Sequence, residues 1–263
     1  MMNILDQIIS VKRREVELGK SIQPAKQLEG SIYFDRAVIS VVERLHRSDS
    51  TGIIAEFKKA SPSKGIINDK VTVEEVVSAY ADAGAAAISV LTDESFFKGS
   101  LSDLQTARSI TNDVPLLRKD FVIDEYQILQ ARSAGADIIL LIAACLTKQE
   151  VKQLASFAHS LNLEVLLEIH SEEELDHIVE EVDLVGVNNR DLKTFTVSIE
   201  QSKRISNKIP LEKIKISESG IYNMQTIDEL REYGYKGFLI GENFMREKDP
   251  GDAFRKFVGT KAN

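Results

Sequence analysis

From about residue 50 onward, short apolar runs alternate with segments whose apolar positions recur at helical spacing. The runs occupy 52–57, 86–90, 115–119, 137–142, 163–168, 183–187, 213–218 and 237–241. Their mean spacing of about 26 residues suits a strand followed by a crossover helix. Ile138-Ile139-Leu140-Leu141 and Phe238-Leu239-Ile240 are apolar on both faces, as parallel strands covered by helices should be. Between the runs, Val73, Val76, Val77 and Tyr80 share one helical face. So do Ile128, Leu129 and the stem of Arg132, and then Val151, Leu154, Phe157 and Ala158. Asp124 and Thr147 stand where helix N-caps belong. Ala83-Gly84-Ala85, Ala134-Gly135-Ala136 and Tyr233-Gly234-Tyr235 each place a glycine between a helical segment and a strand. Eight strands alternating with eight helices predict an α/β chain closed as a (β/α)8 TIM barrel. The competing open, doubly wound sheet often carries a Gly-x-Gly-x-x-Gly turn after its first strand, and this chain has none.

Residues 1–50 fall outside the eightfold count. Ile4, Leu5, Ile8 and Ile9 form one amphipathic stripe, and Phe34, Ala37, Val38, Val41, Val42 and Leu45 form a second. They predict a helical extension packed on a single barrel domain spanning 1–263. It either covers the barrel floor or joins the active-site rim.

Hydrophobic residues make up 43% and charged residues 28% of the 263 positions, as in a folded globular chain. The longest apolar run, 138–146, falls short of the ~20 residues a membrane span needs. The opening Met1-Met2-Asn3-Ile4-Leu5-Asp6 lacks the basic start of a secretory signal. The net charge of −8 argues against non-specific nucleic-acid binding. A single cysteine, Cys145, forms no internal disulfide and reads as a small buried hydrophobe in a cytoplasmic protein. Four scattered histidines show no metal-ligand spacing.

The strand ends are more informative. Side chains alternate faces with period 2, so Ile54, Glu56 and Lys58 share a face. The same rule joins Leu117 with Lys119, Leu166 with Glu168, Gly186 with Asn188, and Ile216 with Glu218. If these faces point inward, six polar groups converge at the C-terminal end of the barrel, where barrel enzymes place their active sites. Isolated buried charges are costly, so such a cluster balances itself or holds a ligand. Lysines among carboxylates suit proton transfer. Outward-facing charges paired with helices are the alternative for any one strand, but not readily for five. Glu218-Ser219-Gly220-Ile221 and Ile240-Gly241-Glu242-Asn243 follow the seventh and eighth runs, the usual phosphate corner of barrels. Ser61-Pro62-Ser63-Lys64-Gly65 could add a hydroxyl. Lys59 and Lys64 read as solvated loop lysines, with a mobile loop over the substrate as the alternative for Lys64. His170, two past Glu168, reads as a loop histidine.

Ile54-Ala55-Glu56-Phe57-Lys58-Lys59-Ala60-Ser61-Pro62-Ser63-Lys64-Gly65 closely resembles the signature of the indole-3-glycerol phosphate synthases. Further matching stretches run in order through Leu117-Arg118-Lys119-Asp120-Phe121, Leu166-Leu167-Glu168-Ile169, Gly186-Val187-Asn188-Asn189-Arg190-Asp191-Leu192 and Leu239-Ile240-Gly241-Glu242. The length suits the single-function form, without a fused isomerase. The resemblance implies conversion of 1-(2-carboxyphenylamino)-1-deoxyribulose 5-phosphate to indole-3-glycerol phosphate, carbon dioxide and water, with no cofactor and no metal. It implies Lys119 as general acid at the ketone and Glu168 as acid/base of the dehydration. Lys58 holds the substrate carboxylate, and either lysine could serve either protonation. Glu56, Asn188 and Glu218 orient these groups. Ser61, Ser219, Gly220, Ile240, Gly241 and the N–H of Glu242 bind phosphate. Arg190 closes over the site, while Phe97, Phe121, Leu140 and Leu192 pack the aromatic ring. The side chain of Glu242 must then point away, since a carboxylate aimed inward would defeat the phosphate assignment. Asn243-Phe244 also depart from the small residues expected there. The expected partner is a small anionic sugar phosphate, with no nucleic acid and no membrane. No sequence feature demonstrates contact with other enzymes of the pathway.

Two other classes remain open at this stage. A Schiff-base aldolase would also use a strand-end lysine, and Lys58 and Lys119 both qualify by type. A non-catalytic barrel subunit predicts erosion of the strand-end polar set, whereas all six positions here carry reactive or hydrogen-bonding groups.

Overall fold

The computed structural model describes residues 3–191 and 194–259. Eight parallel strands close into a barrel: β1 (Ile53–Phe57), β2 (Ala87–Leu91), β3 (Leu116–Lys119), β4 (Ile138–Ile142), β5 (Glu164–Ile169), β6 (Leu184–Asn188), β7 (Ile214–Glu218) and β8 (Tyr235–Ile240). Each pairs with its sequence neighbours, and β8 pairs back to β1 through Ile53 opposite Phe238 and Ala55 opposite Ile240.

The period-2 pattern sorts the side chains into two layers. Ile54, Leu117, Ile138, Leu140, Leu166, Leu184, Ile214, Ile216 and Leu239 fill the interior. Ile53, Phe57, Ile88, Val90, Ile139, Leu141, Val165, Leu167, Val187 and Phe238 face the helices. Fully burying one such side chain contributes about 1.5–3 kcal/mol, so register errors that turn a strand over are heavily disfavoured.

Helices fill the connections as the patterns predict, with Val73, Val76, Val77 and Tyr80 buried on Val73–Asp82. Asp124 caps Glu125–Ser133 by accepting from the Tyr126 N–H, and Thr147 forms a capping box with Glu150 on Lys148–Ser160. The link between β5 and β6 departs from the expected helix, containing instead a run of 3₁₀ turns, Glu172–His177.

The N-terminal residues form α1 (Ile4–Ile22), α2 (Ala25–Glu29) and α3 (Val41–His46). The second stripe is helical only from Val41, contrary to the sequence pattern. Ile39 N–H donates to Asp137 and Val41 N–H to Glu164, and these bonds to the strand starts keep 37–40 out of the helix. Both jobs expected of the extension are done, by different helices. Val41 and Leu45 of α3 plug the floor among the interior residues. Ile4, Leu5 and Ile8 of α1 reach the opposite mouth. No helix among the described residues is long and apolar enough to cross a membrane.

Candidate active site

The mouth at the C-terminal strand ends opens into a cavity lined by Glu56, Lys58, Lys119, Glu168, Asn188 and Glu218, all six of the convergent polar groups. Glu56, Lys119, Glu168 and Glu218 each follow an interior apolar residue by two on their own strands, and Asn188 follows Gly186, so the pleat turns them inward, while Lys58 lies just past the end of β1 and pairs back to Glu56. Strand register sets Glu168 opposite Gly186 and Asn188 opposite Glu218. Gly186 leaves room for Glu218, whose Oε1 would lie 2.1 Å from an added Cβ and would have to move. Gly241 likewise admits Glu56, whose Oε1 would sit 2.4 Å from an added Cβ.

The charges are paired with one another. Lys58 Nζ lies 2.5 Å from Glu56 Oε1, and Lys119 Nζ lies 3.0 Å from Glu168 Oε2. Asn188 Nδ2 donates to Glu168 Oε1 at 3.1 Å. Burial works against the charge on Lys119, but Glu168, Glu218 and Glu56 outweigh it and hold the ammonium more firmly protonated than a free lysine. Burial also opposes ionisation of Glu168, yet Lys119, His170 and Asn188 keep it well below the usual carboxylate range. Glu218 goes the other way. Its burial, reinforced by Glu168 and Glu56 and opposed by Lys119, pushes it up to about 8. Two neighbouring carboxyl groups therefore occupy different states near neutrality, one ionised and one protonated, as acid–base sites require.

Ser61, Phe97, Phe121, Leu140, Arg190, Ser219 and Glu242 line the same cavity. The rings of Phe97 and Phe121 stand 6.0 Å apart. A smaller recess beside it is bordered by Ser219, Gly220, Ile240, Gly241, Glu242 and Asn243. Ser219 and Gly220 there both take left-handed backbone, φ 67 and φ 76. Leu192 lies outside the described residues.

Several expectations need correction. The Ile240 side chain packs outward against the helices, and Leu239 is the residue of β8 that faces the cavity. The Glu242 carboxylate does not turn away. Its Oε2 lies 3.2 Å from Arg190 Nη2 and its Oε1 3.6 Å from Lys64 Nζ, because two cations on facing loops attract it. Lys64, more than half exposed, thus reaches the rim. Lys59 is not a solvated loop lysine, since it pairs with Asp103 at 2.8 Å. Phe244 is buried against Tyr80, Phe254 and Phe257, which gives this bulky residue a packing role. Cys145 is half-buried rather than fully enclosed.

His170 sits in the loop just past β5, as expected, but it is not remote from the site. It lines the cavity, with Nε2 3.1 Å from Glu168 Oε1. Like Lys58, it stands one residue past its strand end and two beyond an inward glutamate, so the alternation carries over only because the chain stays extended there. Ile4, Leu5 and Ile8 were missed as site residues because only tertiary contacts bring α1 to the mouth. Lys12 on α1 fixes that helix by ion pairs to Asp93 at 2.9 Å and Asp120 at 3.0 Å, all three buried. Asp120 directly follows Lys119, so this anchor ties α1 to the mouth.

Similarity to known proteins agrees with this geometry. The family model for indole-3-glycerol phosphate synthase matches residues 5–257. The chain is 49% identical over 258 residues to an indole-3-glycerol phosphate synthase of Bacteroides thetaiotaomicron, covering 98% of each chain. It is 43% identical to one of Burkholderia multivorans, over 96% of this chain and 97% of that one. Among solved structures, a 3-hexulose-6-phosphate synthase superposes with a TM-score of 0.63 at 14% identity, over 80% of this chain and 99% of the other, a likeness of fold alone. The converging strand-end charges and the match across nearly the full length lead to one assignment: this chain belongs to the indole-3-glycerol phosphate synthase family.

Proposed function

We propose that the chain closes the pyrrole ring of 1-(2-carboxyphenylamino)-1-deoxyribulose 5-phosphate, releasing carbon dioxide and water to give indole-3-glycerol phosphate. The observation that carries this reading is the Lys119–Glu168 contact at 3.0 Å, set in a cavity with Lys58 and Arg190. Attack of the aromatic ring on the ketone builds negative charge on the carbonyl oxygen, and the Lys119 ammonium supplies the proton. In the later dehydration Glu168, ionised, removes the proton from the carbon of the new ring while a lysine ammonium of the site protonates the departing hydroxyl, which leaves as water. Glu218, protonated below about pH 8, is suited to hydrogen-bond a substrate hydroxyl. Glu56 and Asn188 orient Lys58 and Glu168, their partners in the free chain.

A substrate with a carboxylate and a phosphate meets cations already engaged by carboxylates. Lys58 takes the substrate carboxylate by exchanging Glu56. Phe97, Phe121 and Leu140 offer apolar surface for the aromatic ring, with Leu192 assigned there by resemblance. Phosphate is assigned to the recess beside Ser219, Gly220 and Gly241, with Ser61 and backbone N–H groups as donors. The Glu242 carboxylate stands against this assignment unless Arg190 and Lys64 exchange it for phosphate. The assignment therefore requires Arg190→Ala to raise KM for the substrate, and an unchanged KM overturns it. Residues 1–50 belong to the same working unit, which we place in the cytoplasm.

An imine-forming aldolase is less compatible with this site. Imine formation needs a neutral amine, whereas the neighbouring carboxyl groups, Glu168 foremost, hold Lys119 protonated. The chain has no tryptophan, so product fluorescence has no indole background. Wild-type protein mixed with the substrate in chelator-containing buffer is expected to generate indole fluorescence. A folded wild type that produces none overturns the reading, and a borohydride-trapped imine supports the aldolase.

A further inference from the structure

We infer that His170 is a positioning residue that fixes the Glu168 carboxylate in the cavity, and that Glu174 fixes His170 in turn. The inference rests on the proposed role of Glu168 and deepens it.

The imidazole is 8% exposed and lies between two carboxylates, Glu168 at 3.1 Å from Nε2 and Glu174 at 3.7 Å from Nδ1. Each ring nitrogen thus faces one carboxylate. The backbone holds the ring in place. His170 N–H donates to Glu174 Oε2 at 2.6 Å, and its carbonyl accepts from Gln201 Nε2. This bracing explains why a residue beyond the strand end turns back to Glu168. The neighbouring charged groups are Lys119, Glu56 and Glu218 around Glu168, and Glu174 on the far side of the imidazole, with the Cys145 thiol also near Glu168. Burial favours a neutral imidazole, but Glu168 and Glu174 outweigh it and raise the group to about 10.

The chemistry supplies a reason for a second cation. Lys119 rests on Glu168 Oε2, yet it must reach the ketone oxygen to protonate it. When it leaves, Glu168 loses its nearest cation. His170, tied at both its N–H and its carbonyl, stays on Oε1 and keeps the carboxylate ionised and aimed.

The test compares wild type, His170→Asn and Glu174→Gln by kcat and KM for indole formation across pH. Losing a cation within ~4–6 Å makes a carboxylate easier to protonate by about one pH unit or more. His170→Asn is expected to move the acid limb of the kcat profile upward by about one unit, lowering kcat about tenfold on that limb, and to leave KM within about twofold. Glu174→Gln should move it the same way by less. An acid limb unmoved in both variants, or a loss confined to KM, overturns the proposal. In the substrate-free wild type, ¹⁵N NMR should find one imidazolium persisting at pH 8, assigned by its loss in His170→Asn or, if that variant does not fold, by its titration shift in Glu174→Gln. Neutral imidazoles throughout at pH 8 overturn the inference. An inactive wild type that still shows the persistent imidazolium overturns the ring-closure reading instead.

Discussion

The two ends of the barrel both bury carboxylates, but they treat them differently. At the floor, Asp137 accepts four hydrogen bonds, from Arg36 Nη2, Ile39 N, Arg108 Nη2 and Leu116 N. Glu164 accepts from Ser40 Oγ and from the N–H groups of Val41 and Val42. Asp183 accepts from Val165 N and pairs with His159. Backbone donors cannot leave without unfolding the chain, so these charges hold the fold together. At the mouth, Glu168 meets Lys119, His170 and Asn188, and Glu56 meets Lys58, in both cases through side chains. Glu218 Oε1 is buried and accepts no aligned hydrogen bond among the described residues, its carboxyl interacting instead with that of Glu168. Leaving a buried acceptor bare costs about 1–3 kcal/mol, which a working site tolerates because a ligand can meet it. A saturated carboxylate marks structure, and an under-satisfied one marks chemistry.

Lys119→Ala should break the comparison most strongly on the mouth side. Removing a general acid is expected to lower kcat about 10²–10⁴-fold, with the unfolding midpoint near that of wild type. A loss below about tenfold would remove Lys119 from its role. On the floor, Asp137→Ala strands Arg108, so unfolding free energy should fall by about 3–5 kcal/mol in urea titrations. The fraction still folded should turn over normally, and an unchanged midpoint would contradict the structural reading.

Lys12→Met sharpens the contrast, because this saturated cluster sits at the mouth. Asp120 receives Lys12, Arg118, Thr92 Oγ1 and Phe121 N, and despite its burial Arg118 and Lys12 hold it well below the usual carboxylate range. The substitution is expected to cost about 1–3 kcal/mol of stability. It should also raise KM, since it frees the helix carrying Ile4, Leu5 and Ile8. Unaltered KM would separate α1 from substrate binding.

Glu218→Gln addresses pH. A carboxyl raised to about 8 binds its proton more tightly folded than unfolded. Its contribution is complete below the ordinary carboxylate value of about 4.3 and is lost as pH climbs toward 8. Wild-type stability should therefore decline relative to Glu218→Gln across that window, and parallel curves would refute the raised value. The smallest effect is expected from Lys64→Ala. Its exposed pair with Glu242 should be worth under about 1 kcal/mol, visible only as a small, salt-sensitive change in KM.

Much of the site was legible because alternation is local. Ile54, Leu117, Leu166 and Ile216 announce an inward face, and the pleat carries Glu56, Lys119, Glu168 and Glu218 onto it without any knowledge of neighbours. The helix caps at Asp124 and Thr147 were legible on the same ground, since a cap involves residues two or three apart. Glu242 and Lys59 misled because loop side chains choose partners by proximity across the fold, here Arg190 and Asp103.

The sequence by itself determined the strands, their inward faces and the capped helices, because each is decided by neighbours within a few residues. Only the tertiary structure decided that Lys119 meets Glu168, that α1 covers the mouth while α3 plugs the floor, and that His170 turns back to Glu168. Those contacts join elements far apart along the chain. They are fixed when the barrel closes and its register is set, through summed packing and the bracing of buried charges, which no local pattern encodes.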